Sequence, residues 1–214
     1  MKRLLLISVT TLSLFLLASA GWYYSKLNRG KSTRIAMTTH PDVDNSIREK
    51  LLANADHLRE YIRSNGFNPA VCFFVDMGIE SGKKRFFVYD LKNDSVIMSS
   101  LVTHGCCNQN WLTGRRYGNT IGCGCTSLGR YKVGKSYEGR FGHAYKLYGL
   151  DSTNSNAYSR FVVLHALQCV PESEVSPYPI CQSDGCPTVS PGFLRIISPL
   201  IDKSPKPILL EINK

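Results

Sequence analysis

The chain has 214 residues, with 26 lysines and arginines against 16 aspartates and glutamates, which gives a formal net charge of +10. This length suffices for one domain with a hydrophobic core. The sequence shows no internal repeat and no nucleotide-binding glycine motif, which argues against a repeat protein and against a nucleotide-binding fold. Outside a cell, a surface of this sign favours an anionic polymer or anionic lipid, although solubility explains any single basic cluster equally well. We expect no nucleic-acid partner.

The first residues have the pattern of an export signal. Two basic residues precede an apolar run from Leu4 to Leu17, and Ala18-Ser19-Ala20 supplies the small-x-small pattern that signal peptidase accepts. Residues 1–20 are therefore predicted to be a signal peptide; the alternative is an uncleaved membrane tether through residues 1–24, because aromatic and basic residues follow the run. Both alternatives place the rest of the chain in the periplasm or cell envelope, with the polar residues 21–43 as a linker.

The domain is expected to span residues 44–214 and to begin with an amphipathic helix over residues 44–66. Apolar residues recur at helical spacing from Ile47 to Ile62. Asp44 or Asn45 can cap the start of this helix, and Asn65-Gly66 ends it. The apolar side of such a helix needs a surface to cover.

From residue 70 to residue 214 the sequence predicts a β core, because aromatic and β-branched runs alternate with turn clusters. The predicted strands cover residues 71–77, 85–91, 95–102, 143–150 and 160–167. The glycine-rich segment 104–139 has too many glycines for a helix and is predicted to be a long functional loop followed by a hairpin. A short helix over residues 190–201 and a closing strand over residues 207–212 complete a mainly β domain, a sandwich or barrel with a packed N-terminal helix.

The chain contains eight cysteines, a number that fits an oxidising compartment. Adjacent Cys106 and Cys107 are poor partners for each other, since neighbouring α-carbons are about 3.8 Å apart and unstrained disulfides need more. Their expected partners are Cys123 and Cys125. Together with His104 these cysteines offer soft metal ligands, but they lack the C-x2-C spacing of structural zinc sites, so we predict neither a metal nor another cofactor.

Residues 161–189 combine the features of a cysteine active site. A β-branched apolar run carries His165 to the end of a predicted strand, and Cys186 stands in a Ser-Asp-Gly-Cys-Pro turn. Glycine tolerates positive φ and proline fixes φ, so this turn can present a thiol and point successive N–H groups at one spot, as in an oxyanion hole. A free thiol is mostly protonated at neutral pH, and His165 is the natural base. From spacing alone, a structural cysteine and a hydrogen-bonded core histidine explain the pattern equally well.

A disulfide between Cys169 and Cys181 is expected to close the proline-rich loop beside this turn, at a gain of about 3 kcal/mol on the chain-entropy model. If Cys186 stays free, at least one further cysteine cannot pair within the chain. The remaining connectivity stays open.

Four segments, taken together, resemble the L,D-transpeptidases, and most closely the branch known as the murein L,D-transpeptidase catalytic domain. They are VTHG (102–105), TSLGRYKVGKSYEGRFGHAYKLYGLD (126–151), RFVVLH (160–165) and SDGCPTV (183–189). They occur in the order of the family, and the likeness covers about residues 74–200.

The resemblance implies a β-rich domain that acts on peptidoglycan stem peptides. Cys186 would attack the carbonyl of the third stem residue, expel the terminal D-alanine and form a thioester, which the side-chain amine of a neighbouring stem or water would resolve. His165 would ionise the thiol and then protonate the departing amine. The N–H groups of Gly185 and Cys186 would hold the oxyanion, and the backbone carbonyl of Ala166 would orient the imidazole.

The chain departs from the family in two respects. In the family at large the nucleophile motif is Ser/Thr-His-Gly-Cys, whereas here Asp184 occupies the histidine position. An ionised carboxylate close to a thiol raises the pKa of the thiol. Thr103-His104-Gly105-Cys106 copies the broader motif more literally, which makes Cys106 a rival nucleophile. We favour Cys186 because His165 precedes it at the approximate distance of the family.

Four residues are candidates for contacts with the stem peptide, although ordinary loop structure explains them as well. They are His104, Arg116, Ser127 and Ser183.

The sequence thus predicts an exported cysteine transpeptidase that forms crosslinks or anchors to the wall. The alternatives are an L,D-carboxypeptidase or other hydrolase on the same fold, and a non-catalytic, disulfide-stapled wall-binding module in which Cys186 is bridged. The oligomeric state stays open.

Overall fold

The computed structural model describes residues 43–214, which form an eight-stranded mixed sheet and two helices. In chain order the elements are α1 (Asn45–Ser64), β1 (Val71–Asp76), β2 (Phe86–Asp90), β3 (Ser95–Ser100), β4 (Gly129–Gly139), β5 (Gly142–Gly149), β6 (Val163–Ala166), β7 (Thr188–Val189), α2 (Pro191–Asp202) and β8 (Leu209–Asn213). The mainly β prediction, with one helix near each end of the domain, is confirmed.

The strands lie in the order β3-β2-β1-β8-β4-β5-β6-β7. Two neighbouring pairs are parallel, β1 with β8 and β6 with β7, and the others are antiparallel. The last strand in the chain is therefore inserted between β1 and β4, where its main-chain groups are satisfied on both sides.

The sheet has an apolar cluster on each face. Side chains alternate between the faces of a strand, so Phe73 and Val75 of β1 join one cluster, whereas Cys72 and Phe74 join the other. Because both faces are covered, all six residues of β1 are buried. The central strand consequently reads as a continuous apolar run rather than an alternating one.

Helix α1 covers one face of the sheet. Its N-cap Asp44 accepts a hydrogen bond from the Ser46 N–H at 2.8 Å, and the Asn65 N–H ends the helix by donating to the Tyr61 carbonyl. The helix buries Leu51, Ala55, Leu58 and Ile62, as its apolar periodicity predicts.

Helix α2 covers the other face and follows directly on β7. Ser190 is its N-cap, with the side chain accepting from the Phe193 N–H at 3.2 Å, and Pro191 stands in its first turn. The buried side chains of α2 belong to the same cluster as Phe73 of β1. This packing fixes the chain immediately after the Cys186 turn.

The strand predicted over residues 160–167 begins only at Val163. Phe161 has a φ of 56°, in the left-handed region, and its side chain is 83% exposed. That backbone conformation cannot continue a strand. Residues 151–161 instead form a series of turns that leads into β6.

The predicted export signal and tether, and all of the predicted linker except Val43, lie outside the described residues. Within residues 43–214, neither helix has the length and apolar character needed to cross a membrane.

Candidate active site

Strands β6 and β7 bring Cys186 and His165 onto neighbouring backbones. His165 pairs with Thr188 in parallel register, and Cys186 stands two residues before Thr188, where its sulfur contacts the N–H of Val163. His165 is therefore two residues further along, or about 6.6 Å in the strand direction. The Cys186 thiol is free, accepts a hydrogen bond from the Val163 N–H at 3.5 Å, and donates to the Phe161 carbonyl at 3.8 Å.

His165 is held in one orientation by its own strand. Its Nδ1 lies 3.1 Å from the carbonyl oxygen of Ala166. A carbonyl can only accept, so Nδ1 carries the proton and Nε2 is left as the basic nitrogen. Phe141 stacks on the ring with 4.5 Å between centroids. Burial lowers the pKa of His165, and the Ala166 carbonyl partly offsets this effect.

The Cys186 thiol is protonated at rest. Burial raises its pKa, the Val163 N–H lowers it, the Asp184 carboxylate raises it and the Arg160 guanidinium lowers it, in decreasing order of effect. The net shift is upward. Among the described residues no hydrogen bond joins the sulfur to His165, and its contacts are with Val163 and Phe161.

The turn that carries Cys186 is held by two hydroxyl groups. The Cys186 carbonyl accepts from Ser183 Oγ at 2.6 Å and from Thr103 Oγ1 at 3.1 Å. Gly185 has a φ of 106°, and a Cβ there would lie 2.6 Å from the Cys125 carbonyl oxygen. Glycine is therefore required by both conformation and space. Ser183, predicted to contact substrate, donates its hydroxyl hydrogen to this carbonyl and so supports the turn.

The two predicted oxyanion donors differ in their surroundings. The Gly185 N–H donates to Ser183 Oγ at 3.2 Å. The Cys186 N–H has no acceptor within residues 43–214. In this conformation the Cys186 N–H is consequently the donor that is available to an oxyanion.

Arg160, which the sequence analysis did not select, joins the glycine-rich loop to the turn. Its guanidinium donates to the carbonyls of Gly118 and Cys125 and to Ser127 Oγ. It lies 3.1 Å from the position that a Cβ of Gly185 would occupy. Arg160 begins the segment RFVVLH that carries the resemblance, but its role is not readable from the sequence, because its partners stand 33 to 42 residues away.

Two predicted substrate contacts have other partners. Ser127 is 2% exposed, accepts from Arg160, and donates to the Gly118 carbonyl at 2.8 Å. Arg116 is exposed, and its guanidinium lies 3.2 Å from the Gln109 side-chain oxygen when that amide is oriented to accept. Ser127 is therefore a buried support for Arg160, whereas Arg116 remains accessible at the surface.

The rival nucleophile Cys106 lies beside the same turn. Its thiol is free and half-buried, and Sγ is 3.7 Å from Asp184 Oδ1. Its N–H donates to the Ser183 carbonyl at 2.8 Å. The turn at residues 183–186 therefore carries one free thiol, that of Cys186, and has a second one, that of Cys106, beside it. The Asp184 carboxylate contacts the Cys106 thiol.

The disulfides match part of the predicted connectivity. Cys169 is bonded to Cys181, and Cys107 is bonded to Cys125. Cys106 and Cys123, which the sequence offered as further partners in that cluster, are free. Within residues 43–214, no group of three or more His, Cys, Asp and Glu side chains is arranged to hold a metal ion.

Two cavities adjoin the site. One, of about 880 Å³, opens beside His165 and is lined by Phe141, Ala166, Leu167 and one side of α2. The other, of about 300 Å³, contains His104 and Gln182. His104 is 5% exposed and faces this smaller cavity.

A comparison with models of protein families identifies one family that matches this chain. The model of the L,D-transpeptidase catalytic domain matches residues 40–206. The match covers well over half of the chain, so the protein belongs to the L,D-transpeptidase catalytic domain family. A search of curated protein sequences finds no significant match.

Solved structures with a similar fold are distant. An L,D-transpeptidase from Xylanimonas cellulosilytica is 14% identical over 72% of this chain and 68% of its own, with a TM-score of 0.38. One from Mycobacterium smegmatis is 11% identical over 68% and 59%, with a TM-score of 0.39. The helical cell shape determining protein of Campylobacter jejuni is 10% identical over 77% and 54%, with a TM-score of 0.38. The chain thus spans little more than half the length of the last two, and we draw nothing further from likenesses this distant.

Proposed function

We propose that this protein is an exported L,D-transpeptidase that acts on peptidoglycan stem tetrapeptides through a thioester at Cys186. The observation that carries the proposal is a free, half-buried thiol in a turn held by hydrogen bonds, next to a strand that holds His165 with its Nε2 unprotonated. A general base is needed at this thiol, because burial raises the pKa of Cys186.

The reaction begins when the Cys186 sulfur rotates toward His165 and Nε2 takes its proton. The thiolate attacks the carbonyl carbon of the third stem residue, and the negative charge develops on the carbonyl oxygen. The C–N bond to the terminal D-alanine then breaks. The imidazolium of His165 donates its proton to the departing amine, which leaves a thioester on Cys186.

The thioester is resolved by the reverse proton movements. The side-chain amine of a second stem peptide loses a proton to His165 Nε2 as its nitrogen attacks the thioester carbon. A new amide bond forms, the C–S bond breaks, and the thiolate recovers its proton. The Ala166 carbonyl stabilises each imidazolium because it accepts from Nδ1–H.

Charge on the tetrahedral intermediate is stabilised by backbone donors. The Cys186 N–H supplies one hydrogen bond, and the Gly185 N–H can supply a second only after it leaves Ser183 Oγ. The Arg160 guanidinium favours the thiolate electrostatically and opposes the effect of Asp184. Arg116, exposed on the glycine-rich loop, is the accessible cation for a carboxylate of the stem peptide.

Two alternative functions, a carboxypeptidase and a non-catalytic wall-binding module, predict different results in the same experiment. A carboxypeptidase on the same fold uses the same acyl-enzyme but resolves it with water. A non-catalytic wall-binding module requires Cys186 to be bridged, whereas the thiol is free in this structure.

The test is mass spectrometry of purified muropeptides after incubation with the protein. A transpeptidase produces a crosslinked dimer and free D-alanine, and a carboxypeptidase produces a shortened monomer. Unchanged muropeptides, with no adduct on Cys186, would contradict catalysis. The matched control is Cys106→Ala, which removes the neighbouring free thiol but keeps the Cys107–Cys125 disulfide, and this variant should still form the product.

A further inference from the structure

A second cavity adjoins the segment that carries Cys186. It has a volume of about 300 Å³, and its lining includes His104, Trp111, Leu112, Arg115 and Gln182. Gln182 stands four residues before Cys186. The carbonyl of His104 accepts from the Ser183 N–H at 2.9 Å. The cavity is thus tied by main-chain hydrogen bonding to the turn of the proposed nucleophile.

Arg85 fixes the tautomer of His104. Its Nη2 lies 3.1 Å from Nδ1 of the imidazole. A guanidinium can only donate, so Nδ1 must accept, and the proton of the neutral ring is on Nε2. Burial, Arg85 and Arg115 lower the pKa of His104 to about 4, so the ring is neutral at pH 7. The Gly114 carbonyl acts in the opposite direction and has the smallest effect of the four.

Gln182 is oriented by the main chain of Leu112. Its Oε1 accepts from the Leu112 N–H at 2.9 Å, and its Nε2 donates to the Leu112 carbonyl at 2.8 Å. These two bonds leave one N–H of the amide, on a nitrogen that is 3.3 Å from His104 Nε2. Both nitrogens carry hydrogen, so neither can accept from the other. Two donors therefore converge in the cavity. The Gly114 carbonyl acts on the ring, but the free N–H of Gln182 has no acceptor among residues 43–214, so a ligand can supply one.

The charge around these donors is positive. Arg85 is completely buried, and its guanidinium is bound by the carbonyls of Ile79 and Val102 and by His104. Arg115 donates to the carbonyls of Gly78 and Ile79. Within residues 43–214 neither arginine forms an ion pair with a carboxylate.

The nearby acids are already engaged with other groups. Asp76, which acts on Arg85, is paired with Lys50 at 2.7 Å. Glu80 lines the cavity, but it is exposed and lies 3.7 Å from Lys83. A buried cation is normally compensated by a carboxylate, and here that compensation is left to what enters the cavity.

We propose that this cavity binds a carboxylate of the stem peptide, with His104 Nε2–H and Gln182 Nε2–H as its two donors and with Arg85 and Arg115 supplying the charge. This inference rests on the proposed function for the identity of the ligand. Trp111 is half exposed at the cavity and covers the bound peptide. The site selects stem peptides in which that carboxylate is free over those in which it is amidated.

Trp111 is a natural reporter of occupancy, because the chain contains one other tryptophan, Trp22. A full chain with Trp22→Phe and Cys186→Ala binds peptide without turnover and emits from Trp111 alone. It is titrated with stem tetrapeptides that carry lysine or diaminopimelate third, and with forms in which each carboxylate in turn is an amide. We expect one of these amidations to raise Kd at least tenfold.

Gln182→Leu on the same background should reduce that difference to less than twofold. The matched control is Gln168→Leu, an exposed glutamine that also lies between β6 and β7 but does not line this cavity, and it should preserve the tenfold difference. If no amidation changes Kd, or if Gln182→Leu leaves the difference intact, the carboxylate site is overturned.

A second measurement does not depend on peptide binding by the variants. In ¹⁵N NMR at pH 7, the His104 ring of the full chain should show a protonated Nε2 and an unprotonated Nδ1, and the Nε2 proton should shift when the tetrapeptide is added. The opposite tautomer, or no shift on addition of peptide, contradicts the arrangement of donors.

Failure of this inference is distinguishable from failure of the proposed function. Alkylation of Cys186 by iodoacetamide, measured on the chain that retains Cys186, reports the thiol and its base without using the cavity. If no crosslinked or shortened muropeptide forms but binding still depends on the carboxylate, the proposed function fails and this inference stands. If product forms but binding does not depend on the carboxylate, this inference fails and the proposed function stands.

Discussion

Thr103 Oγ1 donates a hydrogen bond to the backbone carbonyl of Cys186 at 3.1 Å, although 83 residues separate the two in the chain. The same oxygen accepts from the Thr188 N–H at 3.1 Å, and the Thr103 N–H donates to the Thr188 carbonyl. Thr103 therefore braces the residues on both sides of Pro187. The segment Thr103–Cys106, which resembles the family motif more literally, thus supports the turn that carries Cys186.

Thr103→Val should slow acylation of Cys186 by at least ~10-fold, because it removes all the hydrogen bonds of Thr103 Oγ1, and the one to the Cys186 carbonyl is by itself worth about 1.4 kcal/mol. The measurement is the rate of thioester formation with a carbapenem-type acylating agent, followed by intact-mass spectrometry. The control is Thr153→Val, whose hydroxyl likewise donates to a carbonyl, that of Leu128 at 2.8 Å. Equal rates for Thr103→Val and the unmodified protein would remove Thr103 from the positioning of the turn.

Cys186→Ala should abolish thioester formation, whereas Cys106→Ala should keep at least a third of the acylation rate. The Cys106 thiol contacts Asp184, whereas the chain at Cys186 adjoins the strand of His165. Intact-mass spectrometry after incubation with a stem tetrapeptide distinguishes them. The reverse pattern would assign the nucleophile to Cys106.

His165→Gln should shift the pH dependence of Cys186 alkylation upward, because the thiol pKa, already raised by burial, is then no longer assisted by a base. In the unmodified protein the pKa of His165 is below its ordinary 6.5. The imidazole thus stays in its basic form to a lower pH, and the acid limb of kcat/KM should have its midpoint below that value. An alkylation profile that is identical in the variant would exclude His165 from the mechanism.

His104 should make the domain less stable in acid. Its pKa is lowered to about 4 in the folded state from an ordinary 6.5, so between these values the unfolded chain binds a proton that the folded chain does not. Stability therefore falls as pH decreases through this window, by up to about 1.4 kcal/mol per pH unit. The free energy of unfolding of His104→Gln, measured from pH 7 to pH 4, should show a correspondingly shallower decrease. Parallel curves for the two proteins would contradict the burial of a neutral imidazole.

Removal of the Cys169–Cys181 disulfide should loosen its loop without unfolding the domain. The bridge closes a loop with a sequence separation of 12, which corresponds to about 3 kcal/mol in the chain-entropy model. Val170 and Ile180 remain buried against Leu101 and hold the loop ends. A double Cys169→Ser, Cys181→Ser variant should be cleaved faster by protease within residues 171–179 and keep its far-ultraviolet circular dichroism. Loss of the whole spectrum would show that the bridge supports the domain itself.

Local patterns predicted several elements well. The apolar periodicity and end residues of α1 place it within two residues of its observed bounds, because an amphipathic helix is encoded by neighbours three and four positions apart. The position of His165 on a short buried strand and of Gly185 in a turn also follows from local sequence. The start of β6 does not, because the left-handed conformation of Phe161 interrupts a run that reads as strand.

The sequence by itself determined the local features on which the proposed chemistry depends, a histidine at the end of a strand and a cysteine between glycine and proline. Only the tertiary structure decided which groups support them. The insertion of β8 between β1 and β4, the contact of Arg160 with Ser127 and the contact of Arg85 with His104 join residues far apart in the chain. Such contacts depend on how the sheet and helices pack and on which buried polar groups need hydrogen-bond partners. The spacing of residues along the sequence does not specify either of them.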